Sequence, residues 1–124
     1  MGSIPVWSTM TKTEKIAAFN KSVRDEFIER WRAGLETGNR GIDGISMHVR
    51  RYMLEKAGNR CTRCSWGEVN PTTGRVPLTI DHIDGDWRNT VESNLVVLCP
   101  NCHSLTSTYG SLNRGRGRPR PTKR

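Results

Sequence analysis

From Thr11 to Gly34, apolar residues recur at Ile16, Phe19, Val23, Phe27, Ile28 and Trp31. That three-and-four spacing marks one face of a helix. Thr11 and Glu14 stand at capping-box spacing, and Gly34 is a natural stop. Lys12, Lys15, Lys21, Arg24, Asp25 and Glu29 fall on the mixed-charge remainder. The pattern predicts a packing helix with a solvated face. A helix that contacts DNA or pairs two chains is the lesser reading.

The stretch "LETGNRGIDGI", residues 35–45, is broken by glycine, asparagine and aspartate and reads as a loop. A shorter helix follows, with Ser46 as cap, Val49, Tyr52 and Met53 on its inner face, and Ala57 near its end. Arg50, Arg51 and Lys56 make its outer face basic. Beyond Gly58-Asn59 the helical period disappears. "EVNPTTGRVPL" reads as a turn between two extended pieces, and the β-branched run from Leu78 to Ile83 reads as a strand. A polar loop, a short buried strand "LVVL" and a helix from Pro100 to about Tyr109 complete the order, with Gly110 ending that helix. The elements predict an α+β fold.

Hydrophobic residues make up 34% and aromatic residues 6% of the 124 positions, which leaves a lean core in need of a staple. No apolar run reaches membrane-spanning length, and "MGSIPVWSTMTK" lacks the apolar core of a signal peptide. A reducing, cytoplasmic setting is therefore expected, with no membrane partner. There, paired cysteines bind metal rather than each other.

The net charge of +8 is unevenly placed. Six basic residues and no acid lie in "NRGRGRPRPTKR"; without those six, the 20 basic residues fall to 14 against 12 acids. Arg114, Arg116, Arg118 and Arg120 of this low-complexity tail are candidate DNA-binding residues, because a flexible basic segment gains affinity by releasing counterions from phosphates. "RGRP", Arg116 to Pro119, resembles the core of an AT-hook. Nonspecific phosphate contact is the preferred role, and a plain solubility tail is the bland alternative.

Cys61-Thr-Arg-Cys64 and Cys99-Pro-Asn-Cys102 form a duplicated CxxC set, the spacing at which two knuckles share one tetrahedral zinc. Redox or disulfide roles fit the duplication and the reducing setting less well. The 34 residues between the pairs exceed the spacer of a simple zinc ribbon. The inserted element carries Asp81-His82, and His103 follows the last cysteine. Asp81 can offer a hard oxygen and His103 a nitrogen to a second metal, with water and phosphate completing the sphere, as Mg²⁺ and related ions prefer. His82 is then a candidate general base. Neighbours on a strand point to opposite faces, so Asp81 and His82 serve one site only if the strand bends. Asp84 and Asp86 read mainly as turn formers.

"IDHIDGD", "NL" and "LCPNCH" together resemble the HNH endonucleases, which have a ββα-metal core and a four-cysteine zinc site. The similarity runs from about Phe27 to Arg118 and extends to small HNH proteins encoded by bacteriophages. It implies that Asp81 and His103 ligate a catalytic Mg²⁺ or Mn²⁺, that His82 activates water, and that Asn94 orients His82 through the loop backbone. Many relatives carry His where this chain has Asp81, which still preserves a ligand. Cys61, Cys64, Cys99 and Cys102 match the structural zinc positions. The implied organisation is a helical extension and loop over residues 1–45, an HNH nuclease domain over 46–112 and a basic tail over 113–124. The implied activity is metal-dependent nicking or double-strand cleavage of duplex DNA. A noncatalytic zinc module that binds DNA or a phage packaging protein is the alternative, and a homodimer is an open partner.

Overall fold

The computed structural model describes residues 6–42 and 44–113. The chain divides into two compact units, residues 1–36 and 37–124. In the described residues of the first unit, a 3-10 turn at Trp7–Thr9 precedes α1, Lys12–Arg32. Both halves of the capping box form: the Thr11 hydroxyl accepts from the Glu14 amide, and the Glu14 carboxylate accepts from the Thr11 amide. Ile28 and Trp31 are buried, but Ile16, Phe19 and Val23 are 52%, 64% and 45% exposed. The stripe expected to pack is thus covered only in its C-terminal half. Apart from α1 and the 3-10 turn, the described part of this unit has no element to cover the rest.

The second unit opens with a small antiparallel hairpin, β1 (Asn39–Arg40) and β2 (Gly44–Ile45), where the sequence reads as loop. The difference is physical: two-residue strands around a glycine-rich turn have the composition of a loop. Helix α2, Met47–Lys56, follows, with the Ser46 hydroxyl accepting from the His48 amide as expected. Strands β3 (Thr79–His82) and β4 (Leu95–Leu98) pair antiparallel, from Thr79 opposite Leu98 to His82 opposite Leu95. Helix α3, Pro100–Ser104, packs against both strands. The architecture is mixed helix and small sheets, as the sequence implies.

Val49 and Met53 of α2, Leu78, Leu95, Val97 and Leu98 form the apolar core of this unit, joined by buried Cys61, Cys99 and Cys102. Polar ties reinforce the packing. Arg50 donates to the Leu78 carbonyl (3.2 Å). The Tyr52 hydroxyl and the Lys56 ammonium both donate to Glu92, each at 2.6 Å, which fastens α2 to the 3-10 turn Glu92–Asn94 ahead of β4.

Helix α3 stops five residues short of the expected end near Tyr109. The Ser104 hydroxyl turns back to the Asn101 carbonyl and the Thr106 hydroxyl to that of His103. Such local bonds offer the backbone an alternative to helix. Gly110 does not end α3; it opens a 3-10 turn, Gly110–Asn113, with φ +56°. Among the described residues no helix is long and apolar enough to cross a membrane.

Candidate active site

The two cysteine knuckles converge. The first is folded by Cys61 itself, whose amide donates to the Trp66 carbonyl and whose carbonyl accepts from Ser65. Thr62 fastens it to β4, donating from both amide and hydroxyl to the Val97 carbonyl. The second knuckle bridges β4 and α3: Cys99 is the N-cap, and its sulfur accepts from the Cys102 amide. All four sulfurs lie within 4.8 Å of one another, and Cys64 Sγ is 3.7 Å from Cys99 Sγ. Four zinc–sulfur bonds of about 2.3 Å in a tetrahedron put the sulfurs about 3.8 Å apart. The spacing fits, and all four cysteines are free.

The electrostatics of the bare cluster also call for a cation. Burial opposes ionisation of Cys61, yet backbone hydrogen bonds from Cys99, Cys64 and Arg63 bring its pKa down to about 6. Burial, then the neighbouring sulfurs Cys64, Cys99 and Cys61, push Cys102 up to about 12. One thiolate is welcome and a fourth is resisted, so a divalent ion is needed before all four can lose their protons.

Beyond the knuckles, α3 presents His103 to β3. His103 Nδ1 is buried, has no hydrogen-bond partner, and sits 3.8 Å from Asp81 Oδ1. At about 2.1 Å per bond, one small divalent ion separates two ligand atoms by about 3.0 Å at right angles and about 4.2 Å in line, and the 3.8 Å gap lies between these limits. Tyr109 stands edge-on to the His103 ring at 5.2 Å and 85°. Its contact orients the imidazole and was not legible in the sequence.

His82 ends β3 in regular register opposite Leu95. The ladder is not interrupted between Asp81 and His82; the chain turns after His82, through a bond from the Gly85 amide to the His82 carbonyl. The two side chains have different neighbours. Asp81 faces His103, whereas His82 Nε2 lies 2.9 Å from the hydroxyl of Thr90. Burial lowers the pKa of His82, against the opposing pull of Asp81, Asp84 and Asp86. Its neutral form is thereby favoured near pH 7.

Asn94 knits the loop between the strands. Its side-chain oxygen accepts from the Asp84 amide, and its nitrogen donates to Asp84 Oδ1 and to the Asn89 carbonyl. Its backbone carbonyl accepts from Ile83, next to His82. Asp84 closes the loop from within: Asn89, the Asp86 amide and Asn94 all donate to it, holding its carboxyl at about 2. Asp86 caps Arg88 in the same manner. Gly85 has φ +77°, and a Cβ there would meet the Asn113 side chain, so only glycine fits. Arg114, Arg116, Arg118 and Arg120 lie outside the described residues.

The model of the HNH endonuclease family matches residues 61–108, the segment that holds the four cysteines, Asp81, His82, Asn94 and His103. Residues 61–108 are an HNH endonuclease domain. Over 41 residues the chain is 49% identical to the H-N-H endonuclease F-TflIV of Escherichia phage T5, covering 33% of this chain and 18% of that protein. The Type IV phosphorothioation-dependent restriction endonuclease ScoMcrA is similar over 73% of this chain and 20% of its own, with 26% identity and a TM-score of 0.47. The chain thus spans about a fifth of the length of either relative. The HNH domain accounts for the knuckles, the strand pair and α3; the first unit lies outside the match.

Proposed function

We propose that this chain is a metal-dependent DNA endonuclease of the phage HNH type, hydrolysing phosphodiester bonds. The observation that carries the reading is the buried, partnerless His103 Nδ1 facing Asp81 Oδ1 at 3.8 Å, within the segment that matches the HNH family. A buried imidazole nitrogen without a partner costs stability unless something else satisfies it. An oxygen and a nitrogen ligand suit Mg²⁺ or Mn²⁺, with the remaining positions left for water and a phosphate oxygen.

His82, neutral near pH 7, takes a proton from the attacking water. Asn94 keeps the loop that carries His82's neighbours in place. Asp81 and His103 would hold a divalent ion, which would supply stabilisation of the charge that builds on the phosphate and the leaving 3′-oxygen. A zinc ion at Cys61, Cys64, Cys99 and Cys102 would hold β4 and α3 in register, so that His103 stays opposite Asp81. The Arg114–Arg120 segment adds phosphate contacts. The domain organisation proposed with these roles is a helical extension to residue 45, whose last part is the β1–β2 hairpin, a nuclease domain over 46–112 and a DNA-contacting tail from 113.

Supercoiled plasmid tests the proposal. Wild type with Mg²⁺ or Mn²⁺ should relax or linearise it, EDTA should stop the reaction, and His82→Ala should abolish cleavage while leaving zinc content and DNA binding near wild type. Full activity in His82→Ala removes His82 as the base. A zinc-loaded, folded wild type that cuts under no metal turns the reading toward a noncatalytic zinc module that binds DNA or a packaging protein. The ratio of nicked to linear product reports whether one or two active sites act together, and hence whether a homodimer forms.

A further inference from the structure

Thr90 is the buried polar residue of the described core, at 4% exposure, and no motif singles it out. Two short contacts of its hydroxyl bear on His82. One is to the Trp87 carbonyl at 3.1 Å, and the other is to His82 Nε2 at 2.9 Å. A carbonyl oxygen can only accept, so the contact with Trp87 uses the one proton that a threonine hydroxyl has. Toward His82 the hydroxyl then presents a lone pair, and Nε2 must be the donor. A neutral imidazole has a single N–H. With that proton on Nε2, Nδ1 carries the free electron pair.

We infer that Thr90 is a positioning residue that locks His82 in its Nε2–H tautomer, making Nδ1 the atom that receives the proton of the attacking water. This inference rests on the nuclease reading above for the role of His82, but the tautomer itself does not. The lock is anchored. The Trp87 carbonyl also accepts from Asn39 Nδ2 at 3.3 Å, so the β1–β2 hairpin holds the oxygen toward which Thr90 is aimed. The Asn89 amide bonds to the Asp86 carbonyl, and Asn94 holds Asp84 and Asn89. The segment from Asp84 to Thr90 is thereby fixed on both sides. Threonine suits the position because its branched Cβ restricts χ1, which keeps the hydroxyl pointed at both partners.

Proton transfer from water to Nδ1 turns His82 into an imidazolium whose second N–H already has an acceptor, the Thr90 oxygen. No bond must break or reorganise to accommodate the new charge. Without Thr90 the ring can place its one proton on Nδ1, and in that form the proposed acceptor is filled.

Two measurements test this together: the ¹⁵N ring signals of His82 in the neutral state, and kcat on supercoiled plasmid. Wild type should show a protonated-type signal at Nε2 and an unprotonated-type signal at Nδ1. Thr90→Val keeps shape but removes the acceptor. It should shift the ring toward the Nδ1–H form and lower kcat on the order of 10- to 100-fold, short of the roughly 10²- to 10⁴-fold that a general base contributes in full, with KM nearly unchanged. Thr90→Ser keeps the hydroxyl and should restore both the wild-type ring pattern and kcat to within a few-fold. A wild-type ring protonated at Nδ1, or a Thr90→Val enzyme with unchanged kcat, overturns the inference. The wild-type spectrum decides the tautomer even if Thr90→Val does not fold. Absence of cleavage by a wild type with the Nε2–H pattern overturns the catalytic role while upholding the hydrogen bond.

Discussion

Asp81 Oδ1 and His103 Nδ1 face each other across 3.8 Å, one from the third residue of β3 and the other from the fourth residue of α3. Neither atom was placed there by chain proximity; the ladder from Thr79–Leu98 to His82–Leu95 and the turn through Cys99 bring them together. If they hold the catalytic ion, Asp81→Ala and His103→Ala should each lower cleavage by about 10²-fold or more, equivalent to roughly 3 kcal/mol of transition-state stabilisation. Raising Mn²⁺ should recover part of the activity, and zinc content should not change. Metal titrations of the cleavage rate check both points.

The knuckles predict a different phenotype. Cys61→Ser or Cys99→Ser should remove bound zinc and cost the second unit its cooperative unfolding transition, because the free energy of a structural zinc is largely folding free energy. Zinc uptake should release protons in weakly buffered solution, since Cys102 and Cys64 are pushed up and keep their protons until the metal arrives. The sign follows: zinc affinity falls as pH falls. Metal analysis, calorimetry and a pH indicator provide the three readings.

Asp84 gives a stability prediction with a defined direction. Its folded pKa, about 2, lies below the ordinary aspartate value of about 3.9. On acidification the unfolded chain therefore takes up the proton first. The contribution of Asp84 is complete above about pH 5 and fades as pH falls toward about 2. Asp84→Asn should be less stable than wild type at pH 7, and the gap should close in acid. Paired thermal melts at matched zinc loading across that range measure it.

Asn94 should matter first through the loop. Asn94→Ala removes three side-chain hydrogen bonds. It should destabilise by about 1–3 kcal/mol, the cost of stranded loop groups, and slow cleavage without changing zinc content. Denaturant melts beside plasmid assays separate the two effects.

The basic tail carries a prediction that concerns binding alone. Truncation after Asn113 removes six positive charges. DNA affinity should fall and the slope of log K against log salt should flatten, by about 0.9 for each phosphate of duplex DNA that the shortened chain leaves unneutralised. Binding titrations across a salt series measure both. An unchanged slope assigns the tail no role in binding.

The helices were legible because their ends are written in short-range chemistry: Thr11 with Glu14, and Ser46 before His48. The cysteine cluster was legible because a duplicated two-residue gap matches the way two knuckles share one tetrahedral zinc. Periodicity along α1 named a face but no partner, and so Ile16, Phe19 and Val23 looked buried when they are exposed. The β1–β2 hairpin and the early end of α3 turned on backbone bonds that compete nearly evenly in glycine-, serine- and threonine-rich sequence. Thr90 escaped notice because its importance comes from a contact eight residues away, set by the path of a loop. A bend was the condition for Asp81 and His82 to serve one site; the strand keeps its register through His82 and turns directly after it, sending Asp81 to α3 and His82 to the loop.

The placement of Cys102 and His103 in consecutive positions has a consequence for biosynthesis. The last sulfur needed to complete the zinc cluster and the second half of the Asp81 pair leave the ribosome together, after both strands have been made. A chain interrupted anywhere before that point lacks both the clamp and the pair. On the nuclease reading proposed above, an unfinished copy would lack the metal pair, and the potential to cut would be acquired in one late step rather than by degrees.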